Sequence, residues 1–356
     1  LQFSRIAFES NVGMFFNILV ALLFLKGLKK PLFLLVAAFF AGLNIYVYQA
    51  EKVFTPLLAG VLFLVFRKEI LNVGRKYLFL AIGVGLLLVL PFFYLSLTTP
   101  AVFLRAKGTS FAADQTPFLA QTAQRLQRDY EKNDFLGLIL DNRRINYLLT
   151  FAKGYFSHFD LNWLFLTGDE ARHHAPGMGL LYLWELPFLL WGIYALIFGK
   201  WPKTAKFLVF GWILIAPFAS AFSSGAPHAV RTLRVLPMPQ VLTALGLISF
   251  WQWVVRQKKL INYGLRITGL VFITFNFAYY LNQYFVQLNY FNSSSWQYGY
   301  RQAIEEVKKI EPAYQKIVVS NQPYLDQSYI FFLFYLEYPP ADYQRFGGTV
   351  SGGFAE

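Results

Sequence analysis

The sequence predicts a mainly α-helical protein, a polytopic bundle of about eight membrane spans with amphipathic helices in a long external loop and a small external α/β cap at its C-terminal end. Three observations carry that expectation. Of the 356 residues, 56% are hydrophobic and 14% charged, and the mean hydropathy is +0.42, the composition of an integral membrane protein. Apolar runs approach the roughly twenty residues that a spanning helix needs. Basic residues gather in every second short connection between those runs, where the positive-inside rule expects cytoplasmic loops.

In chain order the apolar runs fall at about 10–26, 31–49, 53–66, 77–97, 178–198, 207–224, 235–255 and 263–285. The third is short for a span. The basic groups are Lys26, Lys29 and Lys30; Arg67, Lys68, Arg75 and Lys76; Lys200, Lys203 and Lys206; and Arg256, Lys258, Lys259 and Arg266. If these lie inside, both ends of the chain lie outside, together with the connection 98–177 and the tail 286–356. The expected organisation is therefore four spans in 1–97, an external loop in 98–177, four spans in 178–285 and a cap in 286–356. The start at Leu1, without Met or a signal-peptide pattern, predicts a fragment or a trimmed product.

In the long connection, "TPFLAQTAQRLQRDYEKNDFLGLILDNRRINYLLTFAKGYFSHF" repeats apolar residues at helical spacing beside Arg125, Arg128, Arg143, Arg144 and Lys153. That pattern suits amphipathic helices lying at the headgroup level. In the tail, "SWQYGYRQAIEEVKKI" reads as a helix ending before Pro312, "QKIVVSN" as a short strand, and "LDQSYIFFLFYLEY" as a helix stopped by Pro339 and Pro340.

Several function classes are excluded or disfavoured. The chain has no cysteine, so disulfides, thiolate metal sites and a thiol nucleophile are absent. The net charge of +13 is explained by the basic loops, and nucleic acid is not an expected partner. There is no phosphate loop, nucleophile elbow or dinucleotide fingerprint.

The chemistry-bearing residues converge on the external side of this topology. The stretch "TGDEARHHAPG" sets Asp169, Glu170, Arg172, His173 and His174 ahead of the fifth run. Adjacent histidines point to different sides of a helix or strand and have no chelating spacing here, so a zinc site is not predicted. A helix-capping loop and a polar mouth for an anionic or sugar headgroup both fit. Glu185, about two turns into the same run, is either functional or a helix-packing hydrogen bond beside Pro187. In "SSGAPHAVRTLRVLP", His228, Arg231 and Arg234 suit a phosphate or pyrophosphate, with interfacial snorkelling as the ordinary alternative. A third cluster holds Tyr46, Tyr48, Glu51 and Lys52, and Arg5 and Glu9 precede the first run. A reaction on that side has no cytosolic nucleotide, so an activated sugar would arrive on a lipid carrier.

The stretches "SRIAFESN", "YVYQAEKVFTPLL", "NWLFLTGDEARHHAPGMGLLYLWELPFLLWGIY", "PHAVRTLRVLP" and "WQYGYRQAIEEV" together resemble the GT-C superfamily of polytopic glycosyltransferases, in particular the family 39 protein mannosyltransferase and aminoarabinose transferase type of bacteria. The resemblance implies transfer of a sugar, with inversion, from a polyprenyl phosphate donor to a lipid or protein acceptor on the outer face of a bacterial cytoplasmic membrane. It implies Arg5, Lys52, His228 and Arg231 as contacts for the donor phosphate or headgroup. Tyr48, Glu51, His173, His174 and Glu185 would line the cavity. The family's catalytic acid belongs to a first external loop that would precede Leu1, so no catalytic residue is assigned. Some relatives use a divalent metal, whose ligands would include that loop. Three other readings stay open: a ligase or polymerase of lipid-linked glycans using Arg143 and Arg144, a transporter of lipid-linked sugars, and a non-catalytic membrane subunit.

Overall fold

In the computed structural model, residues 3, 8–99, 108–111, 116–320 and 327–347 are described, and they are mainly helical. By internal contacts the chain divides into two units, residues 1–169 with 178–276, and residues 170–177 with 277–356.

The first unit opens with α1 (Glu9–Gly27), whose Glu9 and Lys26 complement the positive and negative ends of the helix dipole. It continues through α2 (Leu32–Asn44), α3 (Glu51–Val65), the short α4 (Arg67–Leu71) and α5 (Arg75–Thr98). The loop that follows contains α6 (Thr116–Glu131), α7 (Phe135–Leu140) and α8 (Arg143–Ser157), so its expected helices form. Asp134 and Asn142 cap α7 and α8 by accepting from the Gly137 and Arg144 backbone N–H groups. Then come α9 (Glu185–Phe198), α10 (Lys203–Ile215), α11 (Phe218–Ala221), α12 (Ala229–Thr232), α13 (Met238–Val254) and α14 (Lys259–Asn282).

Among the described residues, four helices are long and apolar enough to cross a membrane: Glu9–Gly27, Arg75–Thr98, Lys203–Ala221 and Lys259–Phe291. A fifth arises if Ala229–Val235 and Met238–Val254, bent by 53° around Pro237, count as one. The expected runs at 31–49 and 178–198 are shorter than foreseen, α2 holding 13 residues and α9 14. For α9 the cause is local. Residues 179–181 lie along another stretch of backbone, with Leu181 N–H donating to Leu164 O at 2.8 Å, and a Cβ on Gly179 would collide with that backbone. The chain therefore turns helical only at Glu185, where Pro187 is tolerated because the first-turn N–H groups have no helical partner.

The core of this unit gathers Val20, Phe54, Leu58, Leu62, Leu196, Val209, Trp212, Ala216, Met238 and Leu242. Trp212 is anchored within it by an Nε1–H donated to Arg234 O at 2.7 Å. Helices α9 and α13 meet backbone to backbone at two glycines: a Cβ on Gly192 would strike the Leu242 carbonyl, and one on Gly246 the Phe188 carbonyl. Small residues permit such close approach where lipid gives no hydrophobic drive between helices.

The second unit contains the C-terminal part of α14, α15 (Leu288–Phe291), α16 (Tyr300–Ile310), α17 (Ser328–Tyr335) and α18 (Pro340–Arg345). Ile304 is fully buried, and Tyr300 stacks on Phe331 with ring centroids 4.4 Å apart. Both expected tail helices form. The expected strand does not: residues 316–320 have no regular structure, and no strand occurs among the described residues, so the cap is helical there rather than α/β. The β-branched pair Val318–Val319 favours an extended backbone, but a lone strand without a partner gains no ladder bonds.

Candidate functional site

The site is built where apolar helices are interrupted by polar residues that the packing encloses. Asn17 lies midway along α1, Asn44 closes α2, Glu51 opens α3, and Thr55 follows one turn later. All four are at most 3% exposed. Opposite them, the turn of 3-10 helix at Leu233–Val235 presents Arg234, which is fully buried.

Glu51 and Arg234 form an ion pair, with Nε 3.4 Å from Oε1. The other carboxylate oxygen accepts from Asn17 Nδ2 at 2.6 Å. Asn44 Nδ2 stands among four oxygens: Gly13 O at 3.2 Å, Asn17 Oδ1 and Thr55 Oγ1 at 3.0 Å, and Glu51 Oε2 at 3.5 Å. Gly13 makes the arrangement fit, since a Cβ there would lie 2.6 Å from Glu51 Oε1. The Arg234 guanidinium also faces the rings of Tyr48 and Phe54, 5.8 and 5.9 Å from their centroids.

The two sides of this pair differ in one respect. Asn17 and Asn44 hold one Glu51 oxygen, Oε2, whereas none of the three Arg234 nitrogens has a hydrogen-bond partner among the described residues, Nε meeting the similarly unbonded Glu51 Oε1 only as an ion pair. A buried guanidinium with idle donors is costly, and its fork geometry matches the oxygens of a phosphate or carboxylate.

A second polar cluster fastens the segment leading to Arg234. His158 accepts the His228 backbone N–H at Nε2 (3.3 Å), lies 2.8 Å from Ser220 Oγ through the same nitrogen, and uses Nδ1 towards Gly154 O at 2.7 Å. These partners require the tautomer with hydrogen on Nδ1. Asp169 Oδ2 accepts the next N–H, that of Ala229, at 2.7 Å and lies 3.8 Å from His228 Nδ1.

Burial pushes the His158 imidazole below its ordinary value of 6.5, although the Gly154 carbonyl and the Asp169 charge oppose the shift. The folded state thus favours neutral His158, and the unfolded chain binds more protons over the window just below pH 6.5. Stability from this clamp is fully present above that pH and declines as pH falls towards the lowered value. Thermal melts from neutral pH to about pH 5 are expected to show this loss, and His158→Phe should flatten that part of the profile.

The other expected site residues are dispersed. Lys52 donates to Gln49 Oε1 at 2.7 Å and lies 4.6 Å from the Phe92 ring, directed away from Glu51. Arg231 donates Nη1 to Ser224 O at 2.9 Å on the exposed side. Glu185 is buried at the first turn of α9, not two turns into a span, as the late start of that helix requires. His173 and His174 belong to the second unit, where the His173 N–H bonds to Glu170 O and His174 Nδ1 lies 2.9 Å from Ala175 O. Arg5 lies outside the described residues. Sequence reasoning passed over Asn17, Asn44 and Thr55 and named Arg234 beside His228 and Arg231 as a group suited to a phosphate. Isolated amides inside apolar runs were the available signal.

No family model matches the chain, and neither a curated protein nor a solved structure does.

Proposed function

We propose that the chain is a polytopic membrane protein that transfers a sugar from a polyprenyl phosphate donor to an acceptor on the extracytoplasmic face of a bacterial membrane. The observation that carries this reading is Arg234, fully buried between apolar helices with its Nη donors unmatched among the described residues and its charge balanced by Glu51. A charged group at membrane depth is expensive and marks a functional site by default. A guanidinium so placed serves a leaving phosphate in two ways: it orients the donor, and it stabilises the charge that develops on the departing oxygen. Glu51 acts as counter-charge, with Oε2 held by Asn17 and Asn44 and Oε1 3.4 Å from Arg234 Nε, and the base remains unassigned.

The topology in this reading has eight spans, with α2, α3 and α9 as short helices beside the longer ones. Helices α5 and α14 support it, because no residue of either is buried and many of their large apolar side chains are exposed. Cysteine labelling tests the sidedness: Gly108→Cys is expected to react with an impermeant thiol reagent from outside, and Asn72→Cys is not. Reversed labelling would overturn the topology.

For the site, Arg234→Lys is expected to weaken polyprenyl phosphate binding by roughly tenfold or more, because a point charge replaces the fork. Lys203→Ala, on the proposed cytoplasmic side, should leave binding unchanged. A second reading, a transporter of lipid-linked sugars, is favoured by the break at Pro237, since discontinuous helices surround the sites of transporters. Lipid-linked sugar movement in proteoliposomes without acceptor glycosylation would select it.

A further inference from the structure

Helix α8 has two faces with different fates. One packs inward: Phe151 lies 5.7 Å from the Phe218 ring and 4.5 Å from that of Phe222, Gly154 abuts Ala221 and Ala226, and His158 reaches Ser220. The other, roughly 150° around the helix, carries Leu148, Leu149 and Phe156, which are 60%, 59% and 67% exposed. The short α7 adds Phe135, Leu136 and Leu140 at 72%, 67% and 61%. Six large apolar side chains bare within 22 residues exceed the scattered exposure of an ordinary surface and mark an interaction face.

The exposed charges around this face are mostly cationic. Of the acids, Asp129 is buried and held below the usual carboxylate range by hydrogen bonds from Arg128, Asp141 is half-buried 3.7 and 3.8 Å from Arg125 and Arg128, and Asp134 and Glu131 are exposed, the first capping α7 and the second accepting from Gln127. The bases turn outward, with Lys132, Arg144 and Lys153 all exposed. An apolar face whose exposed rim carries Lys132, Arg143, Arg144 and Lys153 against Glu131 and Asp134 fits an anionic lipid surface better than a second copy of a chain that is itself basic.

We propose that α7 and α8 seat on the bilayer as an interfacial anchor, with the six apolar side chains at the acyl boundary and Lys132, Arg144 and Lys153 on the phosphates of anionic phospholipids. The inference rests on the membrane reading but not on sugar transfer. Because the inner face of α8 ends in Gly154 and His158, the anchor also positions the clamp on His228 and hence the approach to Arg234.

The absence of native cysteine allows a clean test. Leu136→Cys, Leu149→Cys and, as a control, Gln127→Cys would be spin-labelled in nanodiscs of mixed phosphatidylcholine and phosphatidylglycerol. Collision with lipid-soluble oxygen and with a water-soluble nickel chelate is then compared at each position. The proposal expects oxygen to dominate at 136 and 149 and the chelate at 127. Adding Arg144→Glu and Lys153→Glu should make 136 and 149 markedly more accessible to the chelate. Chelate dominance at 136 and 149, or shielding there from both reagents as under a protein partner, would overturn it. An unchanged depth in phosphatidylcholine alone would overturn the role of anionic lipid. Loss of transferase activity with labels still deep would count against the proposed function only.

Discussion

The double variant Glu51→Leu with Arg234→Met is expected to fold and to bind no polyprenyl phosphate. Removing one partner strands the other charge in an apolar interior, and each single change, Glu51→Leu or Arg234→Met, should cost about 3–5 kcal/mol. Removing both leaves no buried charge, and two flexible apolar side chains of similar size can fill the space, which is often neutral for stability. A structural ion pair would show the same recovery of stability in the double variant, with binding intact. A phosphate site would recover stability and lose binding. Guanidinium hydrogen bonds to charged oxygens contribute about 1.5–3 kcal/mol, so affinity should fall by roughly tenfold to a hundredfold. Melting and binding measured side by side on the four proteins of the cycle separate the two roles.

Gly246→Val is expected to be the most damaging single substitution outside the charged cluster. The new branched side chain would be driven into the Phe188 carbonyl, and the nearby Gly192 backbone leaves no room to retreat. Overpacking of side chains costs about 1–3 kcal/mol because neighbours can shift rotamer, and here the obstacle is backbone. The separation of α9 and α13 would have to grow, carrying Leu196 and Leu242 out of the core they share with Trp212. Gly246→Ala should show a smaller loss in the same direction, and Gly269→Ala, which meets open space, none. Thermal unfolding in detergent or nanodiscs ranks the three. Equal stability of the valine variant would remove the close α9–α13 contact from the account.

Much of the architecture was legible because membrane-type helices announce themselves through length and hydropathy, which are properties of a segment alone. Helices α1 and α5 formed within a few residues of their expected bounds, and α6 to α8 followed their amphipathic spacing. Tertiary contacts decided the rest. The late start of α9 depends on backbone pairing between 181 and 164, and the extended preference of Val318–Val319 goes unused because no partner strand accompanies it. At the site, Glu51 stood out as an acid entering an apolar run. Arg231 and Arg234, three residues apart on a short turn, are placed differently: the second is fully buried, and the first donates to Ser224 O.

Polyprenyl phosphate binding to the protein in nanodiscs, measured for the wild type and the Glu51→Leu, Arg234→Met double variant at matched thermal stability, tests the central claim most directly. The account predicts saturable binding by the wild type and a loss of roughly tenfold or more in the double variant. Equal affinity of the two proteins would contradict it and leave the buried pair as a fastening between helices.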